Sequence, residues 1–115
     1  MKIAILCFDL SDNAAGRADL LARLVAPLGE VEVVGPCYGS HVWEPVAAGG
    51  VAYRAVPGRP RISSFARALP ELLRLARADL LYASKPRLGS AGVGYLRRLA
   101  GHAPLLLDID DWEVG

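Results

Sequence analysis

Three aspartates near the end of the sequence are the clearest candidates for chemistry. Asp108, Asp110 and Asp111 lie at the end of an apolar run over residues 105–109 that is typical of a buried strand. In an extended chain, Asp108 and Asp110 project to one side and Asp111 to the other. Paired carboxylates can bind a metal ion, act as acid and base, or accept hydrogen bonds from sugar hydroxyls. A metal ion would need further oxygen ligands, and only Asp9 offers one, so we predict no metal site.

Two cations follow another short apolar run, over residues 80–82. Lys85 and Arg87 flank a proline and precede a predicted helix. They could bind a phosphate or a polyol, lysine as a point charge and arginine as a planar fork of donors. The alternative is that both are solvated turn residues, and the sequence does not decide between the two.

The segment after the first apolar run has features of an anion-binding loop. Asn13, Gly16 and Arg17 lie where a helix should begin, and the exposed N–H groups of a first helical turn favour a negative charge by about 0.3 to 1 kcal/mol. The dinucleotide fingerprint GxGxxG and the P-loop pattern are both absent from the sequence. The simpler alternative is that Asp12 or Asn13 caps the helix and Gly16 relieves crowding.

The sequence offers no recognisable nucleophile. His41 falls in a predicted loop and His102 in a predicted turn, and neither has an apparent partner for a Ser/His/Asp or Cys/His arrangement. We therefore assign no catalytic residue and predict no cofactor.

Apolar runs and helical periodicity alternate along the chain and indicate an α/β fold. The predicted strands cover residues 3–8, 31–34, 51–56, 80–82 and 105–109. The predicted helices cover residues 15–28, an apolar stripe from 65 to 76, and a segment from 93 to 101. Such alternation favours βαβ units, and hence a doubly wound, mainly parallel Rossmann-like sheet of about five strands with flanking helices. Ligands of these sheets bind outside the carboxyl ends of the strands, where the candidates above lie.

Turn-forming residues predict three local features. Gly35 and Pro36 should close the second strand, and residues 37–50 should form a long loop. Pro70 removes a hydrogen-bond donor and should kink or restart the helix that contains it. Gly94, with two more glycines just before it, lowers helix propensity, which indicates close packing of that helix on the sheet or a neighbour.

Composition excludes several classes of protein. The 115 residues suit a single domain, and 53% hydrophobic with 22% charged residues favours a folded chain. The net charge of +1 provides no large field for nucleic acid or anionic lipid. We expect Cys7 and Cys37 to be reduced thiols, and no apolar run has the length of a membrane span or a signal peptide. These features predict a soluble, cytoplasmic protein.

The whole sequence resembles the N-terminal domain of a GT-B glycosyltransferase of the family 4 type. The resemblance rests on residues 9–17, residues 34–36, residues 82–87 and, above all, residues 107–115 with the sequence LDIDDWEVG. Members of that family have two Rossmann-like domains around a cleft. The N-terminal domain mainly holds the acceptor, and the C-terminal domain holds the nucleotide-sugar.

The resemblance implies roles for the candidate residues. Asn13, Gly16 and Arg17 would approach the donor phosphates from across the cleft. The acceptor side would be lined by five side chains, those of Lys85, Arg87, Asp108, Asp110 and Asp111. Nothing in the sequence matches the C-terminal donor domain, so the resemblance implies an incomplete acceptor-side domain that is inactive without a donor domain.

Two functions from different classes are therefore predicted. In the first, the chain is the N-terminal part of an enzyme that transfers a sugar from a nucleotide-sugar to an unknown acceptor. The donor half would follow in the same chain, and the isolated part would expose apolar surface and self-associate. In the second, the chain is a stand-alone, non-catalytic α/β binding or interaction module, which could pair with a separately encoded donor domain.

Overall fold

The chain folds as strands that alternate with helices. The computed structural model describes residues 1–11, 14–47, 49–59, 61–84, 92–101 and 104–108. Within these ranges the strands are β1 (Lys2–Leu6), β2 (Glu30–Cys37), β3 (Ala52–Pro57), β4 (Leu80–Ser84) and β5 (Leu105–Asp108). The helices are α1 (Ala14–Val25), α2 (Glu44–Ala47), α3 (Ile62–Leu75) and α4 (Val93–Gly101), and a 3₁₀ turn at Ala26–Leu28 extends α1.

All five described strands form one parallel sheet in the order β3-β2-β1-β4-β5. β1 is the central strand, where Ile3 lies between Val31 of β2 and Leu80 of β4. The strand order reverses between β1 and β4, which makes this the topological switch point where open α/β sheets place their ligands. The predicted mainly parallel Rossmann-like sheet is confirmed.

Two hydrophobic cores lie on opposite faces of the sheet. Ile3 and Ile5 of β1 pack against α1 on one face, while Ala4 and Leu6 pack against α3 and α4 on the other. These four residues have no exposed surface, which explains why the β1 sequence is continuously apolar rather than alternating. Helices on both faces confirm the doubly wound arrangement.

The predicted end of the second strand was wrong. β2 continues through Gly35 to Cys37, and Pro36 pairs in register with Val56 of β3. Gly35 is needed for close approach, because a Cβ at this residue would lie 2.1 Å from the carbonyl oxygen of Cys7. The predicted loop over residues 37–50 is also interrupted, since Glu44–Ala47 form the single turn α2.

The helix restart predicted at Pro70 is absent, because α3 runs continuously from Ile62 to Leu75, and a kink at Pro70 stays a prediction. Pro70 cannot donate to the carbonyl of Ala66, but both residues are exposed, so water can satisfy that carbonyl. The packing predicted for Gly94 is confirmed, because a Cβ there would lie 2.7 Å from Leu105 Cδ1. Cys7 and Cys37 are free thiols, as expected.

No helix among the described residues is long and apolar enough to span a membrane.

A buried carboxylate ties α1 to the outer part of the sheet. Asp19, only 7% exposed, accepts a hydrogen bond of 2.5 Å from the Tyr53 hydroxyl and one of 2.7 Å from Arg23 Nε. Arg23 also donates through Nη2 to the Gly49 carbonyl at 2.8 Å. Burial raises the pKa of Tyr53 well above its usual range, and the hydrogen bond to Asp19 adds to the shift. The neutral phenol is therefore the form that the fold stabilises.

We expect Tyr53→Phe to lower the free energy of unfolding by about 1 kcal/mol, because the buried Asp19 oxygen loses its donor. Urea denaturation followed by circular dichroism measures this difference. Tyr95→Phe is the matched control, since Tyr95 is 55% exposed and its loss of a hydroxyl should leave the unfolding midpoint unchanged. Equal stability of Tyr53→Phe and the wild type would contradict the assignment.

The same hydroxyl predicts a pH dependence. The pKa of Tyr53 is higher in the folded state than in the unfolded state, so its stabilising contribution is complete below the unfolded value of about 10 and is lost as the pH rises above it. The stability difference between the wild type and Tyr53→Phe should therefore be constant from pH 7 to pH 9 and shrink above pH 10. A difference that grows at alkaline pH would show that the sign of the shift is wrong.

Candidate functional site

An open depression lies at the carboxyl edge of the sheet, beyond the ends of β1, β2 and β3. It consists of two adjoining cavities that share Gly39. The larger cavity, of about 700 Å³, lies between Tyr38 and the first turn of α3. The smaller cavity, of about 410 Å³, is lined by Ser11, His41 and Trp43 among others. The depression therefore lies at the carboxyl edge, where open α/β sheets bind ligands, on the β2 and β3 side of the switch point between β1 and β4.

The Asp9 carboxylate connects the loop after β1 with the end of β2. Its Oδ1 accepts hydrogen bonds from the Ser11 amide at 2.9 Å, the Ser11 hydroxyl at 2.6 Å and the Tyr38 amide at 3.2 Å. The Ser11 hydroxyl oxygen in turn accepts the Gly39 amide at 2.8 Å. This network, the Asp9 clamp, fixes Tyr38 and Gly39, which both line the larger cavity. Asp9 thus has a structural role, and the described residues contain no group of three or more His, Cys, Asp or Glu side chains that could hold a metal ion.

The Cys37 thiol and the Tyr38 hydroxyl, which both feel the charge of Asp9, are held in their protonated forms. Burial raises the pKa of the Cys37 thiol, and the Asp9 charge raises it further. The pKa of Tyr38 is raised by the same two causes in the same order. A raised thiol pKa makes Cys37 a poor nucleophile at neutral pH, since the thiolate is the reactive form. Tyr38 keeps its hydroxyl proton and remains a hydrogen-bond donor.

The indole ring of Trp43 covers the backbone of Gly16. Its Cζ3 atom lies 3.0 Å from the position that a Gly16 Cβ would occupy. The Trp43 amide donates to the Leu10 carbonyl at 2.7 Å, which holds the Trp43 backbone against the loop after β1. A side chain at residue 16 would therefore meet the crowding that the simpler sequence interpretation expected. The approach of donor phosphates to Gly16 stays a prediction.

The other predicted site residues fall partly within the described structure. Arg17 lies in the first turn of α1 and is half-buried. Asp108 ends β5, where its backbone pairs in register with Ser84 of β4, so the ends of these neighbouring strands meet at the carboxyl edge. The remaining predicted residues lie outside the described residues, namely Asn13, Lys85, Arg87, Asp110 and Asp111.

A cluster of cations was missed by the sequence interpretation. Arg59, Arg61 and Arg67 line the larger cavity together with Ser63 and Ser64. The sequence could have indicated this cluster, because all three arginines come after the third predicted strand and before the fourth. The rule that ligands bind at strand ends applies here as it does to Lys85 and Arg87 after the fourth strand. A net charge near zero for the whole chain concealed this local excess.

We expect Asp9→Ala to lower the free energy of unfolding by about 2 kcal/mol, because the Ser11 and Tyr38 amides lose their acceptor. Asp9→Asn is the matched variant, since its amide oxygen can still accept hydrogen bonds, and it should lose less than half as much. Chemical denaturation measures both, and the amide chemical shifts of Tyr38 and Gly39 report the loop locally. Equal losses for the two variants would show that charge rather than hydrogen bonding at Oδ1 maintains the clamp.

Comparison with known proteins found no relative of this chain. No protein-family model matches it, and neither a curated protein nor a solved structure matches it. The geometry of the carboxyl edge and the sequence resemblance are therefore the two grounds for a functional proposal.

Proposed function

We propose that the chain is the acceptor-side, N-terminal part of a GT-B glycosyltransferase, which transfers a sugar from a nucleotide-sugar donor to an acceptor. The observation that carries the proposal is the open polar depression at the carboxyl edge of a parallel sheet with the order β3-β2-β1-β4-β5. An open edge of this kind suits a domain that forms one wall of a cleft. The sequence resemblance over residues 107–115 supplies the reaction class.

The register of β4 and β5 supports the proposed acceptor side. Ser84 and Asp108 are paired neighbours, and the chain continues from them into the segments that carry Lys85 and Asp110. Cations and carboxylates that follow adjacent strand ends can together recognise a hydroxylated acceptor, since carboxylates accept from hydroxyls and cations donate to their oxygens. The donor nucleotide would be held by a second domain. Sugar transfer would occur in the cleft between the two.

A stand-alone interaction module is the second candidate. Leu20, Leu24 and Leu28 follow one another at helical spacing and are 47%, 66% and 62% exposed. Such an apolar stripe is typical of a surface that contacts another protein or another domain.

The reading frame beyond Gly115 tests the proposal directly. We expect it to continue into a second Rossmann-like domain, and we expect the encoded protein to release nucleoside diphosphate from at least one nucleotide-sugar when acceptor is present. A coupled assay over a panel of UDP-, GDP- and ADP-sugars measures this release. Two results together would favour the interaction module. One is a stop codon after Gly115, and the other is that the chain releases no nucleoside diphosphate in the presence of any co-encoded donor domain.

Calorimetry on the 115-residue chain provides the matching control. Because the donor site would belong to the second domain, the chain alone should bind nucleotide-sugars weakly or not at all, whereas the two-domain protein should bind one of them in the micromolar range, roughly −8 kcal/mol. Micromolar binding by the isolated chain would contradict this division of labour.

A further inference from the structure

The larger cavity has the composition of an anion-binding site. Its volume of about 700 Å³ falls in the range of small-molecule pockets. Arg59, Arg61 and Arg67 contribute three positive charges to its lining, and Ser63 and Ser64 contribute hydroxyl groups. None of the described residues that line it is acidic. The cavity therefore concentrates positive charge in a chain whose net charge is only +1.

The guanidinium groups of this cavity are available to a ligand. No carboxylate in the described part of the chain forms an ion pair with any of the three. Elsewhere, by contrast, Arg23 pairs with the buried Asp19 and Arg54 pairs with the buried Glu32. A guanidinium group carries five N–H donors in a planar fork that matches the spacing of phosphate oxygens.

Backbone hydrogen bonds hold this side of the cavity in place. Gly58 N donates to the Cys37 carbonyl at 3.2 Å, and the Arg59 amide donates to the Ser64 hydroxyl oxygen at 2.8 Å. That oxygen accepts, so the hydroxyl proton of Ser64 remains available for a ligand. Arg61 is the N-cap of the 14-residue helix α3 and makes no side-chain cap hydrogen bond. The amides of the first turn thus add a partial positive charge to that of the arginines.

We propose that the cavity bordered by Tyr38 and the three arginines binds a phosphate group, either as inorganic phosphate or as a monoester of a small polyol. Three cations complement the two charges of a phosphate dianion better than they complement the single charge of a carboxylate. The volume leaves room for a carbon skeleton beside Tyr38. The site itself does not require sugar transfer.

Titration of the ¹⁵N-labelled 115-residue chain tests the site. Inorganic phosphate and glycerol 3-phosphate should each produce saturable shifts in the amides of residues 58, 59 and 61–67, and glycerol should produce none. Tighter binding of glycerol 3-phosphate identifies the ester as the ligand form, and equal binding identifies the free ion. Binding of both should weaken as NaCl is raised, because exposed charges are screened. Absence of saturable shifts at these amides, or equal shifts with glycerol, would overturn the proposal.

Charge-removing variants locate the binding to this cavity. Arg59→Gln and Arg67→Gln should each raise the Kd for phosphate about three- to fivefold. Arg77→Gln is the matched control, since Arg77 is also exposed and forms no ion pair with a described carboxylate, but follows the opposite end of α3, roughly 20 Å away. Thermal unfolding of each variant verifies the fold. A loss of affinity in Arg77→Gln equal to that in Arg59→Gln would attribute binding to overall charge and refute the site.

Discussion

The loops that follow β1 and β2 at the carboxyl edge depend on one oxygen atom, Oδ1 of Asp9. A parallel sheet fixes where its strands end but does not fix the loops that follow, which must find their own hydrogen-bond partners. Oδ1 supplies an acceptor to the loop after β1 and to the Tyr38 amide after β2. Through the Ser11 hydroxyl it also fixes Gly39, which both cavities share. The shape of the candidate site follows from this local arrangement.

Much of the fold could be predicted from the sequence because the physical demands on a central strand are strict. β1 must be apolar on both faces, and its residues from Ile3 to Leu6 have no exposed surface in the structure. The end of β2 could not be predicted in the same way. Gly35 and Pro36 have the types of a turn, yet Gly35 serves the approach of the Cys7 carbonyl and Pro36 lies within the strand. Residue type shows that a backbone position is unusual without showing which neighbour makes it so.

The candidate site was less predictable than the fold. The rule of strand ends pointed to the carboxyl edge, where the depression lies. It did not indicate the partners of Asp9, because Tyr38 is distant in sequence and no pattern links the two residues. The contact of Trp43 with Gly16 is equally non-local. The arginines after β3 were visible in the sequence, and only their arrangement around one cavity, away from carboxylates, gives them a shared role.

The central position of β1 also has a consequence for synthesis of the chain. Its first partner, β2, follows early in the sequence, whereas the second edge of β1 is covered only when Leu80 and its neighbours emerge. At typical translation speeds this interval lasts roughly 2 to 10 seconds. During that time a largely apolar strand presents an open hydrogen-bonding edge, which is a template for pairing with other chains. The strand that organises both cores thus keeps one unpaired edge while the rest of the chain is still being synthesised.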